Sequence, residues 1–191
     1  MRILGIDPGL RSTGWGVIAC KDGSLHHIAN GAIQPRHTLA DADRLGIIFN
    51  ELDGVIAQYK PNQAAIEQIF VAKSAGSALR LGMARGVGLL VCGVNGLAVG
   101  EISARAVKKA VAGTGAAEKK QVQDMVTRLL AVTATNADAA DALAIAIALS
   151  NGVGKLRDVG VGSDKGESAG GLKAAIAAAL AREDASNGGK T

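Results

Sequence analysis

An apolar run that ends on a carboxylate constrains this chain more than any other feature. Ile3-Leu4-Gly5-Ile6 leads straight into Asp7, and Pro8-Gly9 then turns the chain. A small and apolar run cut off by Pro-Gly predicts a buried strand that stops at Asp7. An unpartnered carboxylate in a dry core costs several kcal/mol, so Asp7 needs a partner. Two readings fit: a cap on the local turn, or an acid at a cleft that helps hold a metal ion. The pattern recurs, because Ala64-Ala65-Ile66 delivers Glu67 and Leu97-Ala98-Val99 leads to Glu101.

The order of the remaining segments predicts the architecture. Gly9 to Gly14 is a glycine-rich turn, and Trp15 to Cys20 reads as a second strand. Asp22-Gly23 makes a hairpin turn into a third strand from Leu25 to Ile33, so the first three strands form an antiparallel meander. His26 and His27 are adjacent on that strand and point to opposite faces, which suits surface residues better than a shared metal. Thr38 is placed to cap a helix from about Leu39 to Tyr59, with Leu45, Ile48, Phe49, Leu52, Val55 and Ile56 at steps of three and four. Lys60-Pro61 ends it. Ser77 to Val94 is helical in pattern, and its Gly82, Gly86, Gly88 and Gly93 predict close packing, with a second subunit as a candidate partner. Three more helices follow, from Ser103 to about Val111, Glu118 to Leu130 and Asp138 to Leu149. The expected fold is α/β, a mixed five-stranded sheet flanked by helices over residues 1–150. Residues 151–191 turn to Gly, Ala and Ser and are expected to form a disordered tail.

Composition narrows the function classes. Cys20 and Cys92 are too few and too far apart for a disulfide framework or a zinc site. The start lacks a signal-peptide pattern, and no stretch reaches the ~18 uninterrupted apolar residues of a membrane span. A soluble, cytoplasmic protein is expected. Aromatics are limited to Trp15, Phe49, Tyr59 and Phe70, so the core must be aliphatic. A net charge of +4 leans mildly toward polyanions.

The last predicted helix carries Asp138 and Asp141 three residues apart, on one face and one turn from each other. A first-turn acid suits the helix dipole, and Asp138 also reads as a plain cap, which explains one Asp well and two less well. The neighbours Ala139, Ala140, Ala142, Ala144, Ile145 and Ile147 make this helix nearly all apolar, hence buried. If Asp7, Glu67, Asp138 and Asp141 converge, two like charges ~4 Å apart repel by roughly 4 kcal/mol at an effective dielectric of about 20. A cation would relieve that. Oxygen ligands without His or Cys point to magnesium or manganese, and two such ions suit phosphodiester hydrolysis.

The motifs Leu4-Gly5-Ile6-Asp7-Pro8-Gly9, Thr13-Gly14-Trp15-Gly16, Ala65-Ile66-Glu67-Gln68, Ser77-Ala78-Leu79, Ala84-Arg85-Gly86-Val87 and Ala137-Asp138-Ala139-Ala140-Asp141-Ala142 resemble the RuvC family. These are bacterial crossover junction endodeoxyribonucleases that resolve Holliday junctions, and the resemblance runs from Met1 to about Ser150. It implies an RNase H-like fold, a homodimer, and Mg2+-dependent paired symmetric nicks in four-way DNA, with Mn2+ a substitute. By that similarity Asp7, Glu67, Asp138 and Asp141 are the catalytic metal ligands, and RuvA–RuvB is a partner. Phe70 is read either as a loop anchor or, as the family favours, as an aromatic stacking on an opened junction. Lys73, Arg80, Arg85, Arg105, Lys108, Lys109, Lys119 and Lys120 are candidate phosphate contacts, with Lys108 and Lys119 ranked first by the resemblance. Glu101 is a reserve acid that reads more readily as structural. Taken singly, each base is as well explained by a solvated surface.

Two other classes stay open on the residues alone. Actin-like ATPases and sugar kinases also open with a strand ending in Asp before a glycine turn, although a body of this length leaves no room for their second domain. A binding module that recognises branched DNA without cutting is the third. A dinucleotide site fits poorly, because these glycines precede a strand rather than a helix.

Overall fold

The computed structural model describes residues 1–69, 75–154 and 156–157. Strands β1 (Arg2–Asp7), β2 (Thr13–Lys21) and β3 (Ser24–Ile33) form the expected antiparallel meander. Asp22 and Gly23 both take positive φ (51° and 77°), which lets a two-residue hairpin follow the strand twist. Helix α1 (Asp41–Tyr59) then returns the chain to β4 (Gln63–Glu67), which lies parallel to β1. Helix α2 (Ala75–Val94) leads to β5 (Ala98–Ile102), parallel to β4. Helices α3 (Ala104–Ala112), α4 (Lys119–Leu130) and α5 (Ala137–Ser150) complete the helices among the described residues. The sheet order is β3-β2-β1-β4-β5-β6.

Three details differ from expectation. A sixth strand, β6 (Leu156–Arg157), pairs antiparallel with β5, so the sheet extends past Ser150. Residues 158–191 lie outside the described residues. Thr38 does not cap α1; the helix starts after Ala40, which offers no side-chain acceptor, and Asp41 and Asp43 supply first-turn negative charge instead. Asp138 is not the cap of α5 either. Asn136 takes that role, accepting from the Ala139 N–H at 2.8 Å, which frees both aspartates for other work.

Alternation along the strands sorts the side chains into two cores. Leu4, Ile6, Val17, Ala64, Ile66 and Val99 pack with α1 and α2 on one face. Ile3, Ile18, Ala65 and Ile102 pack with α3, α4 and α5 on the other. Asp7 stands two residues beyond Gly5 and four beyond Ile3, so it faces the α5 side. Glu67 follows Ala65 onto that same side. Glu101 follows Val99 onto the opposite one, where it ion-pairs with Arg85 of α2.

Helix α5 is the buried spine of its layer, with ten of its residues buried. It rides close to β1 because Gly5 has no side chain: a Cβ there would sit 2.0 Å from the Ala142 carbonyl oxygen. At Gly14 of β2 a Cβ would sit 2.1 Å from the Asp138 carbonyl oxygen. Such contacts are far inside van der Waals distance, so these glycines set how near the first turn of α5 comes to the end of β1. Helix α2 is the one helix among the described residues long and apolar enough to cross a membrane by length and composition. Arg80 and Arg85 interrupt it, and Ala84, Gly88, Val91 and Cys92 are buried against the sheet.

Candidate metal centre

The strand end and the helix start bring three acids together. Ligand oxygens of Asp7, Asp138 and Asp141 lie within 4.8 Å of one another. Asp7 comes from the last residue of β1, and the two others from successive exposures of one face of α5. Glu67, at the end of the neighbouring β4, stands outside that tight group but lines the same cavity of about 210 Å³ with Asp7 and Asp141. Lys108 of α3 and Lys119 of α4 form the basic side of this cavity.

Charge at this site is concentrated and poorly hydrated. Burial, then the charges of Glu67, Asp141 and Asp138, push the Asp7 carboxyl up from its ordinary 3.8 to about 7, with Lys119 opposing. Burial also raises Glu67, helped by Asp141 and opposed by Lys119 and Lys108. Lys119 Nζ donates to Asp141 Oδ2 at 2.6 Å, and that bond raises the lysine above its ordinary value. Asp141 is nevertheless raised, because its burial outweighs the lysine. Burial and crowding thus disfavour the charged forms of Asp7, Glu67 and Asp141, a cost that a bound cation would offset. The donor set is all oxygen and its spacing suits a hard divalent ion, so the residues fit such a metal.

A second, larger cleft of about 1200 Å³ meets this centre at Asp138. Arg11, Arg36, Arg44 and Arg80 line it, with Ser12, Gln34 and His37. Arg44 is built into the wall through Leu10 O at 2.9 Å and Asp41 at 3.4 Å. Arg11, Arg36 and Arg80 are exposed and make no ion pair among the described residues.

The other expected DNA contacts divide. Lys108 and Lys119 stand at the acids, Arg80 lines the large cleft, and Lys109, Lys120 and Arg105 are exposed on α3 and α4. Arg85 is turned inward to Glu101, so the charges of both are already engaged with each other. Phe70 and Lys73 lie outside the described residues. Sequence reasoning missed Arg11, Arg36, Ser12 and Gln34. Arg11 had a usable signal, since it sits in the glycine turn directly after Asp7. Ser12 shares that turn, but its contact with Asp138, like the place of Gln34 and Arg36 in the cleft, depends on segments far apart along the chain.

A sequence model described as "Crossover junction endodeoxyribonuclease RuvC" matches residues 3–149. The chain belongs to the RuvC family. The RuvC of Paramagnetospirillum magneticum is 52% identical over 148 residues, covering 77% of this chain and 89% of its own. That of Caulobacter vibrioides is 50% identical over 151 residues, covering 78% and 89%. Among solved structures, "T. thermophilus RuvC in complex with Holliday junction substrate" superposes with a TM-score of 0.77 at 29% identity, covering 82% of this chain and 99% of that one. The yeast mitochondrial Holliday junction resolvase Ydc2 shares the fold at a TM-score of 0.55 and 13% identity. As a RuvC-family protein the chain is a nuclease of the crossover junction endodeoxyribonuclease class, a Holliday junction resolvase. The ATPase, kinase and non-cleaving readings lose their ground.

Proposed function

We propose that this chain acts as a Mg2+-dependent homodimer that resolves four-way junction DNA by paired symmetric nicks, with Asp7, Glu67, Asp138 and Asp141 as its catalytic metal ligands. The observation that carries this reading is the convergence of Asp7, Asp138 and Asp141 from elements more than a hundred residues apart. These four acids would hold the divalent ions, two per site with Mn2+ as a substitute, whose chemistry there would be Lewis-acid activation of water and charge stabilisation at the leaving oxygen. The chain's own part is to fix the carboxylates and to present cations to the phosphate. Lys119 and Lys108 face the acids and are placed to neutralise a scissile phosphate, at which point Lys119 exchanges Asp141 for the DNA. Arg80, Arg11 and Arg36 offer the backbone a basic cleft leading to Asp138, and Lys109 and Lys120 extend the charge. Lys73 and an unstacking role for Phe70 complete the DNA surface. Arg85 is kept for the fold.

The dimer reading draws on α2. Leu79 and Leu90 are exposed at 66% and 57%, and Gly82 and Gly86 stand between them at steps of three and four on the same open stripe. A helix face that is apolar, flat and uncovered suits a second copy, and two active sites suit paired cuts. RuvA–RuvB as a partner and a cytoplasmic setting belong to the same proposal, as does a nuclease body that carries on past residue 150 to include β6. A labelled four-way junction titrated with Mg2+ tests it. Nicked duplexes that appear with metal are expected; ATP turnover without cleavage, or retention without cutting, would defeat it.

A further inference from the structure

The metal centre and the arginine-lined cleft touch through one hydroxyl. Ser12, in the turn between β1 and β2, donates to Asp138 Oδ2 at 2.5 Å. Behind it Gln34 Nε2 donates to Ser12 Oγ at 3.4 Å. A serine hydroxyl has a single proton, and here it is spent on the carboxylate. The glutamine amide therefore meets a lone pair of Oγ, which sets the direction of the pair: Gln34 to Ser12 to Asp138. Both residues line the cleft, together with Asp138.

Asp138 depends on this contact more than its neighbours depend on theirs. Lys119 holds Asp141. The backbone of Asp138 is pinned against Gly14, but its carboxylate has Ser12 as its one side-chain donor among the described residues. A short hydrogen bond to a charged acceptor is about twice as strong as a neutral one. With Oδ2 so engaged, the carboxylate has less freedom to rotate out of the arrangement in which its ligand oxygen lies within 4.8 Å of those of Asp7 and Asp141.

We propose that Ser12 is a positioning residue for the metal centre: its hydroxyl, oriented by Gln34, holds the Asp138 carboxylate in the geometry that a divalent cation needs. This rests on the reading of Asp138 as a ligand. Outer partners of metal ligands characteristically alter metal affinity by 10–100-fold, and a weak relay at 3.4 Å places the effect at the lower end.

The test uses the full chain and Mn2+ alone, without DNA. Calorimetric titration of wild-type, Ser12→Ala, Ser12→Thr and Asp138→Asn proteins is read beside metal-free thermal melting. Ser12→Ala is expected to bind Mn2+ about tenfold more weakly with melting unchanged, Ser12→Thr to restore the affinity, and Asp138→Asn to lose binding. In cleavage assays the Mn2+ concentration for half-maximal rate should rise for Ser12→Ala, and the rate at saturating Mn2+ should recover. Wild-type affinity in Ser12→Ala, with Asp138→Asn impaired, would overturn the positioning role alone. Equal losses in Ser12→Ala and Ser12→Thr would overturn it as well, since the hydroxyl would not be the cause. Absence of Mn2+ binding in wild-type protein would overturn the ligand reading, and this proposal with it.

Discussion

Replacing Asp7 by Asn should make the metal-free protein more stable while ending cleavage. In the fold, burial and three neighbouring acids raise Asp7 from 3.8 to about 7. The folded state therefore keeps a proton between those pH values that the unfolded chain has released. A folded carboxyl raised in this way loses stability as pH climbs through that window, and the loss is complete above pH 7. At 1.36 kcal/mol per pH unit the full loss is about 4 kcal/mol. Asn keeps the shape and carries no charge, so the variant escapes it. For a domain of this size 1 kcal/mol moves the melting point by about 2–4 °C, so Asp7→Asn should melt on the order of 10 °C higher at pH 8 in chelator. Near pH 4 the carboxyl of the wild type is already protonated, and the difference should fade. Scanning calorimetry of both proteins in chelator at pH 4, 6 and 8, beside junction cleavage and gel-shift binding, makes the comparison. Cleavage should vanish and binding persist, because the phosphate contacts are elsewhere. A variant that melts lower than wild type at pH 8, or that gains equally at pH 4, would refute the electrostatic reasoning.

Two further outcomes follow from the packing and the charge. Gly5→Ala puts a Cβ 2.0 Å from the Ala142 carbonyl oxygen, so α5 must lift off β1. The cost should exceed about 3 kcal/mol, with cleavage lost along with stability, and a denaturation midpoint within about 1 kcal/mol of wild type would contradict the close approach. Arg11→Gln and Arg36→Gln should each reduce the slope of log affinity against log salt by about 1 for a four-way junction, measured by fluorescence anisotropy. Unchanged slopes would place the DNA outside the large cleft.

Much of the site was legible in the primary structure, because strands and helices have fixed periods. On β1 the period of two puts Ile3, Gly5 and Asp7 on one face and Leu4 and Ile6 on the other. On α5 the step of three puts Asp138 and Asp141 together, and the alanine-rich run between and after them marks a buried helix. Each is a property of neighbours along the chain, so reading the residues suffices. The same periodicity says nothing about which face of one strand meets which helix. Glu67 ends β4 and Glu101 is the last residue but one of β5, yet one joins the acids and the other pairs with Arg85. That choice depends on the parallel pairing of β1, β4 and β5 and on which layer α2 and α5 cover, and these are contacts between distant segments. The same holds for Ser12, 126 residues from Asp138, and for the cleft shared by Arg11, Arg36 and Arg80. Local sequence determined what each element would present; only the packing of the layers decided which of those groups would meet, because a side chain's neighbours across space are set by every other element's burial at once.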